Sequence, residues 1–487
     1  MKNNLFLLII IIVLSSCSTK ETIEYVDCGV SPLLWPDYQN ITIPVNIAPL
    51  NCKAMDGGTL TLVEVASKLG TKRIRCHDGK LIWDIDYWKE LLQGNVGDTI
   101  TVSAFITDSS GVCYRYKPYW MFVSPDSIDS HLAYRNIETG YVFWLKMGLY
   151  QRCLENFDCK PIIENSGIDN ACVNCHSFCA QSPDKMMFHS RKFNPGTTVL
   201  WEGKLQKYNT KVDSTISGGV YSSWNPNGYI IAMSTNSISQ RFHNDLNERI
   251  YVSDSESDIV IFNLKTETVS YTPKLCTENL ENFPAWSPDG KTLYYISAKK
   301  RPEGDFTDTT LRYNLLSIGY DAETDTWGDV DTLLTAENAH GSITYPKPSL
   351  CGRYIAFTLT DRGYFAPFDQ ESDIWLFDLE TKQMKYNGNV NSPSTESNHN
   401  WSHNGKWLVV GSKFPDKLFT KPYFAHFNPD KGTFDKRFVL PQEDPDFYEQ
   451  FIANFNNADF ITGEVPVSEF EIRDAVRGSL KQAKGKK

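Results

Sequence analysis

Apolar and polar positions alternate in short runs along most of this chain, the two-residue period of strands that bury one face. Between about residues 37 and 125, the runs ITIPVNIAPL, GTLTLVEVA, RIRCHDGKLIWDI, DTITVSAFIT and CYRYKPYWMFV alternate or stay apolar, with Gly, Asp or Asn between them. They predict an Ig-like β-sandwich over 37–125. One helical period interrupts them, Tyr87-Trp88-Lys89-Glu90-Leu91-Leu92. Residues 126–192 read differently. The run YVFWLKMGLYQRCL spaces its apolar residues roughly as a helix does, which predicts a compact segment of short helices.

From about residue 193 the chain repeats. SSWNPNGYIIAMS (222–234), PAWSPDGKTLYYIS (284–297), PKPSLCGRYIAFTL (346–359) and HNWSHNGKWLVVGS (399–412) share one template of aromatic or Pro, polar turn, Gly and alternating strand. Trp224, Trp286, Pro348 and Trp401 mark it at intervals of 62, 62 and 53 residues. A second hairpin follows each unit, as in DIVIFNLKTETVSYT and DIWLFDLETKQMKY. Two hairpins make a four-stranded blade, and blades stacked round an axis leave no long free edge. VLWEGKLQKYNT is assigned to a fifth unit and the segment after Pro441 to a sixth. The fold class is therefore mainly β: a sandwich, a short helical segment, then a propeller of six blades with its tail over 193–487. The tail reads as a short helix, VSEFEIRDAVRGSLKQ, then a solvated basic run from Lys481 to Lys487.

The N-terminus changes the setting. Lys2, an unbroken apolar run from Leu5 to Val13, and Leu14-Ser15-Ser16-Cys17 predict an export signal over 1–16, too short to span a bilayer. The L-S-S-C ending resembles a bacterial lipobox, which implies lipid on Cys17, a membrane anchor and a polar tether over 17–36. Ser18 after it points to the outer rather than the inner membrane of a bacterial envelope, by analogy. A net charge of −11 and a pI near 5.4 exclude nucleic acid as a partner.

Candidate chemistry is concentrated in Cys172-Val173-Asn174-Cys175-His176. C-x-x-C-H is the spacing at which two thiols bond one haem c covalently and the next histidine ligates its iron. The motif has two other readings, a Cys172–Cys175 disulfide and half of a zinc site completed by Cys179 and His189. With haem, Cys172 and Cys175 are the covalent sites, His176 is the proximal ligand, and His189 or Met186 is the distal one. Among the remaining cysteines, Cys153 with Cys159, and Cys52 with Cys76 or Cys113, are candidate pairs. No zinc-protease, nucleophile-elbow, phosphate-loop or dinucleotide motif is present, so no catalytic residue is assigned.

W-S-P-D-G-K at 286–291, with S-D-I-x-x-F-x-L at 257–264 and 372–379, resembles the TolB-like, WD40-like propeller repeats. With the C-x-x-C-H ahead of them, residues 126–450 resemble bacterial propeller lipoproteins that carry one cytochrome-c motif. The resemblance implies a haem-binding segment over 126–192 and a propeller face that docks a protein partner. The C-x-x-C-H after an export signal points to a role in electron transfer or haem-based sensing. The alternative is a haem-free scaffold or ligand-binding propeller. Pro348 and Cys351 depart from the repeat where Trp and Asp stand elsewhere.

Overall fold

The polar turn of the repeat has a mechanical purpose. In a computed structural model, which describes residues 24–55, 57–138, 146–242, 250–301 and 310–486, Ser287 Oγ donates to Asp289 Oδ1 (2.6 Å) and accepts from the Thr292 amide (2.9 Å). The same amide-to-hydroxyl bond recurs from Tyr354 to Ser349 (3.1 Å) and from Trp407 to Ser402 (3.0 Å). Each one satisfies the first donor of a returning strand. Gly290, Gly352 and Gly405 stand beside them at φ 71°, 73° and 66°, where a side chain would be strained.

Each turn opens a four-stranded antiparallel unit, and six such units follow one another among the described residues. Their innermost strands are β1 (Cys172–Phe178), β2 (Val220–Trp224), β3 (Leu280–Trp286), β4 (Ser342–Pro348), β5 (Glu396–Trp401) and β6 (Ala453–Ile461). Each touches the next, and β6 touches β1, so the inner strands form a closed ring. β6 is added to strands His131–Glu138, Met147–Cys153 and Cys159–Glu164, so one blade joins the two ends of the ring.

This arrangement corrects three expectations. The described residues of 126–192 are not a helical, cytochrome-like segment: 131–138, 147–153 and 159–164 are blade strands, and Cys172–Phe178 with Met186–Arg191 opens the next blade, while residues 141–145 of the expected helical run lie outside the described residues. Met147, Gly148, Leu149, Gln151 and Arg152 are all buried, so this stretch is covered on both faces. A strand buried on both sides is continuously apolar, and periodicity cannot separate it from a helix. The ring therefore starts near residue 131, not 193. The tether is also shorter than 17–36, because Val26-Asp27 pairs with Tyr114-Arg115 and Leu34-Trp35 with Lys53-Ala54.

The third correction concerns the tail. After α2 (Glu469–Arg477), capped by Ser468 and Glu471, Lys481–Gln482 and Lys484–Lys486 extend the outer edges of the β1 and β2 blades as parallel strands. The lysine heads stay in water while the backbone pairs, and Lys486 meets Asp325 at 2.7 Å. Among the described residues no helix is long and apolar enough to cross a membrane. The signal over 1–16 and Cys17 lie outside the described residues.

The N-terminal unit has a seven-stranded sheet, a three-stranded sheet and α1 (Ile85–Gly94). Asp84 caps α1 by accepting from the Tyr87 amide (2.9 Å), and Trp88, Leu91 and Leu92 form its buried face. Trp88 and Val102 share one apolar cluster with Trp407, Phe424 and Phe438, so this unit packs on the β5 blade.

A charged clamp crosses that contact. His426 Nε2 lies 3.0 Å from Asp126 and its Nδ1 3.1 Å from Asp435. Burial opposes the imidazolium, but the two carboxylates outweigh it and raise the pKa. The clamp's stabilisation is complete below the unfolded value of about 6.5 and is lost as pH rises through the higher folded value. We expect the gap in Tm between wild type and His426→Gln to be widest near pH ~6 and to narrow toward ~8. A constant gap would refute this.

A second buried pair lies in the β5 blade, where Arg437 Nη1 meets Glu396 Oε1 at 2.8 Å, the side chains 7% and 0% exposed. Arg437→Leu leaves the carboxylate without its cation. The expected loss in chemical denaturation is about 3–5 kcal/mol, the cost of an uncompensated buried charge.

Candidate functional site

In an unbroken strand, residues 172 and 176 would face one side and 175 the other, so the C-x-x-C-H side chains could not meet. A β-bulge removes the conflict. Cys175 and His176 together oppose a single residue of the neighbouring strand, and Cys175 takes the left-handed conformation at φ 51°. Cys172, Cys175 and His176 then line one cavity, while Val173 turns into the apolar core with Phe178, Met186 and Phe188.

The same bulge occurs once in every inner strand. The pairs are Cys175-His176, Tyr221-Ser222, Phe283-Pro284, Tyr345-Pro346, Asn398-His399 and Asn457-Ala458. The first member of each has φ between 47° and 52°, and none is glycine. Left-handed backbone at a non-glycine residue costs of order 1–3 kcal/mol, so six in register are a built feature of the ring. All of these residues but Ala458 line a central cavity of about 370 Å³. Small-molecule sites run from about 300 to 1,000 Å³.

His176 is 3% exposed, and neither ring nitrogen has a hydrogen-bond partner. Burial first, then the nearby Arg135, pushes its pKa down to about 3. It is therefore a neutral imidazole with free lone-pair capacity, the form that binds a metal. Burial raises the pKa of Cys172, against the opposing pull of Arg135 and Arg191. Tyr221 is held protonated by burial and by Cys175 beside it. All eleven described cysteines are free thiols, so Cys172 and Cys175 are not bonded to each other. Cys153 and Cys159 are likewise unbonded, as are Cys52, Cys76 and Cys113. Among the described residues, no three His, Cys, Asp or Glu side chains are grouped to hold a bare metal ion, so Cys179 and His189 do not complete a zinc set.

Neither expected distal ligand lines the cavity. His189 and Met186 lie on the second strand of the blade, one step away from the axis. His189 Nδ1 is 2.9 Å from Thr197 Oγ1, and Met186 is buried against Phe178 and Leu200. The residue missed in the sequence is His399, which is fully buried with both ring nitrogens unpartnered. Its signal was present: N-C-H-S-F (174–178) and S-N-H-N-W (397–401) are the same strand of two repeats. The three inserted residues Cys179-Ala180-Gln181 displace the turn Ser182-Pro183-Asp184, which has no glycine, and so hid the match.

These residues fit a covalently attached haem. Such a group brings four nitrogen donors of its own and asks the chain for reduced thiols and an imidazole. The cavity offers these, with Val252, Phe283 and Tyr345 as apolar wall and Arg135 and Arg191 as cations.

No protein-family model matches the chain, and no curated protein matches it. Solved structures do match. One is a putative TolB from Agrobacterium tumefaciens, at 16% identity over 64% of this chain and 95% of that one, TM-score 0.37. Another is the periplasmic gluconolactonase of Pseudomonas aeruginosa, at 13% identity over 64% and 96%, TM-score 0.33. A third is an oligogalacturonate lyase in complex with manganese, at 12% identity over 63% and 73%, TM-score 0.36. The ring itself rests on its strand connectivity.

Proposed function

We propose that this protein is an exported, lipid-anchored monohaem c-type cytochrome that holds its haem on the axis of the propeller. The observation that carries this reading is the gathering of two reduced thiols and a neutral, unpartnered His176 on one cavity wall. When bound, haem supplies a one-electron iron couple. The chain supplies the rest. Each thiol adds across a vinyl double bond, sulfur to one carbon and hydrogen to the other, with nothing released and no oxidant consumed. Arg135 and Arg191 offer cations to the carboxylates of the group, and the aromatic wall excludes water from it. The role is electron transfer or haem-based sensing at the bacterial envelope, on its outer membrane, with the propeller face docking a protein partner. The lipobox-like Leu14-Ser15-Ser16-Cys17 supports the anchor.

The competing reading is a haem-free propeller that binds a small anion, favoured by Arg135, Arg191 and Lys347 on the cavity wall. Mass spectrometry of full-length protein, co-expressed with a cytochrome c maturation system, separates the two. The haem reading expects one added haem mass that survives denaturation. An unmodified polypeptide would sink it.

A further inference from the structure

The six equivalent bulge positions face one axis, but their chemistry is unequal. The second residue of each pair is His176, Ser222, Pro284, Pro346, His399 or Ala458. Only two are imidazoles. Between them round the ring stands the bulge of β6 alone, whose Asn457 lines the cavity while Ala458 packs in the apolar core.

β6 also holds these two histidines in place. Asn457 Nδ2 donates to the His176 carbonyl (3.3 Å), and Asn400, next to His399, donates to the Ala458 carbonyl (2.8 Å). Beyond the bulges the segments that follow the two strands meet. Gln181 Nε2 donates to the Trp401 carbonyl (3.2 Å), and His403 Nδ1 lies 3.2 Å from the Ala180 carbonyl. Fully burying an imidazole with neither nitrogen bonded is costly unless something absent from the polypeptide partners it. His399 and His176 share that condition, and the other four positions have no such group. Burial also pushes the His399 pKa down to about 3, against the Ala356 backbone and with Lys347 adding to it, so the imidazole is neutral.

The geometry points to His399 as the second axial ligand of a haem attached at Cys172 and Cys175, opposite His176. This rests on the haem reading and narrows it. Coordination donates a lone pair from a neutral nitrogen to the open iron position. No bond in the chain breaks, no electron is transferred, and a water at that position leaves. An iron closed by two imidazoles has no vacant site for a small ligand and lacks the thioether that raises the potential. Electron transfer is therefore favoured over sensing of a diatomic. Lys347 is the nearest rival, since it acts on both histidines and burial lowers its pKa against the opposing pull of Asp459, and the Lys347→Ala variant separates the two.

The test uses full-length, matured protein and reads spin state. Wild type should be low-spin in both oxidation states and slow to bind carbon monoxide. His399→Ala should keep the haem mass, become high-spin, bind carbon monoxide rapidly, and return to low-spin on adding imidazole. His399→Gln, closer in volume, serves if the alanine variant does not fold. A high-spin wild type overturns the assignment. So does a low-spin His399→Ala, and conversion by Lys347→Ala instead would pass the role to Lys347. In these cases the haem mass is retained, so haem attachment stands while the ligand fails. A wild type with no haem mass overturns both.

Discussion

A chain ending after Ile452 should not fold. It loses β6 and α2, and with them Phe455, Phe460, Ile461, Val465, Ile472 and Val476, each at most 6% exposed. Burying a side chain of this kind contributes about 1.5–3 kcal/mol, so the loss is roughly 9–18 kcal/mol. That matches or exceeds the ~5–15 kcal/mol by which domains are stable. The strand His131–Glu138 would also lose its β6 partner and expose an edge to other chains. The expected result is insoluble or protease-sensitive material. Supplying residues 453–487 as a separate peptide should restore part of the folded signal, because the closure is noncovalent. A soluble, cooperatively melting truncation would show that the ring does not depend on β6.

Replacing both Cys172 and Cys175 by Ala should abolish covalent haem while the propeller still folds. The argument is local. The sulfurs bond no other residue as a disulfide, and the neighbouring Val173 makes the core contact of this strand. Single variants keep one thioether and should retain haem on a denaturing gel at reduced yield. The double variant should show none. His176→Ala differs again: haem stays attached, and its spectrum shows the loss of an iron ligand. If the double variant retains stain, the attachment lies at another cysteine and the site is wrong.

Much of this was legible in the repeat. Trp224, Trp286, Pro348 and Trp401 with their following turns marked four blades, because the same left-handed turn residue and capped first amide recur in these hairpins. Tyr87 to Leu92 marked α1, since an isolated helix keeps its apolar stripe on one face. The other two blades were read only in part: VLWEGKLQKYNT, assigned to a fifth unit, supplies outer strands of the β1 blade, and the segment after Pro441, assigned to a sixth, contains β6. Met147 to Cys153 is buried on both faces and so carries no period. The β1 repeat is disguised by its three-residue insertion. Lys481 to Lys486 looked like solvent-exposed tail because its lysine side chains are, although its backbone completes two sheets.

The sequence by itself determined the element type, the hairpin turns and the motif that gathers two thiols and a histidine. Those are local properties, set by residues a few positions apart. Only the tertiary structure decided that the motif lies on a bulged strand at the axis, that the last strand closes the first blade, and that His399 shares the cavity with His176. Ring closure brings together residues more than 200 positions apart, and a bulge changes which way a side chain faces without changing the residue. Neither leaves a period in the chain for a reader to find.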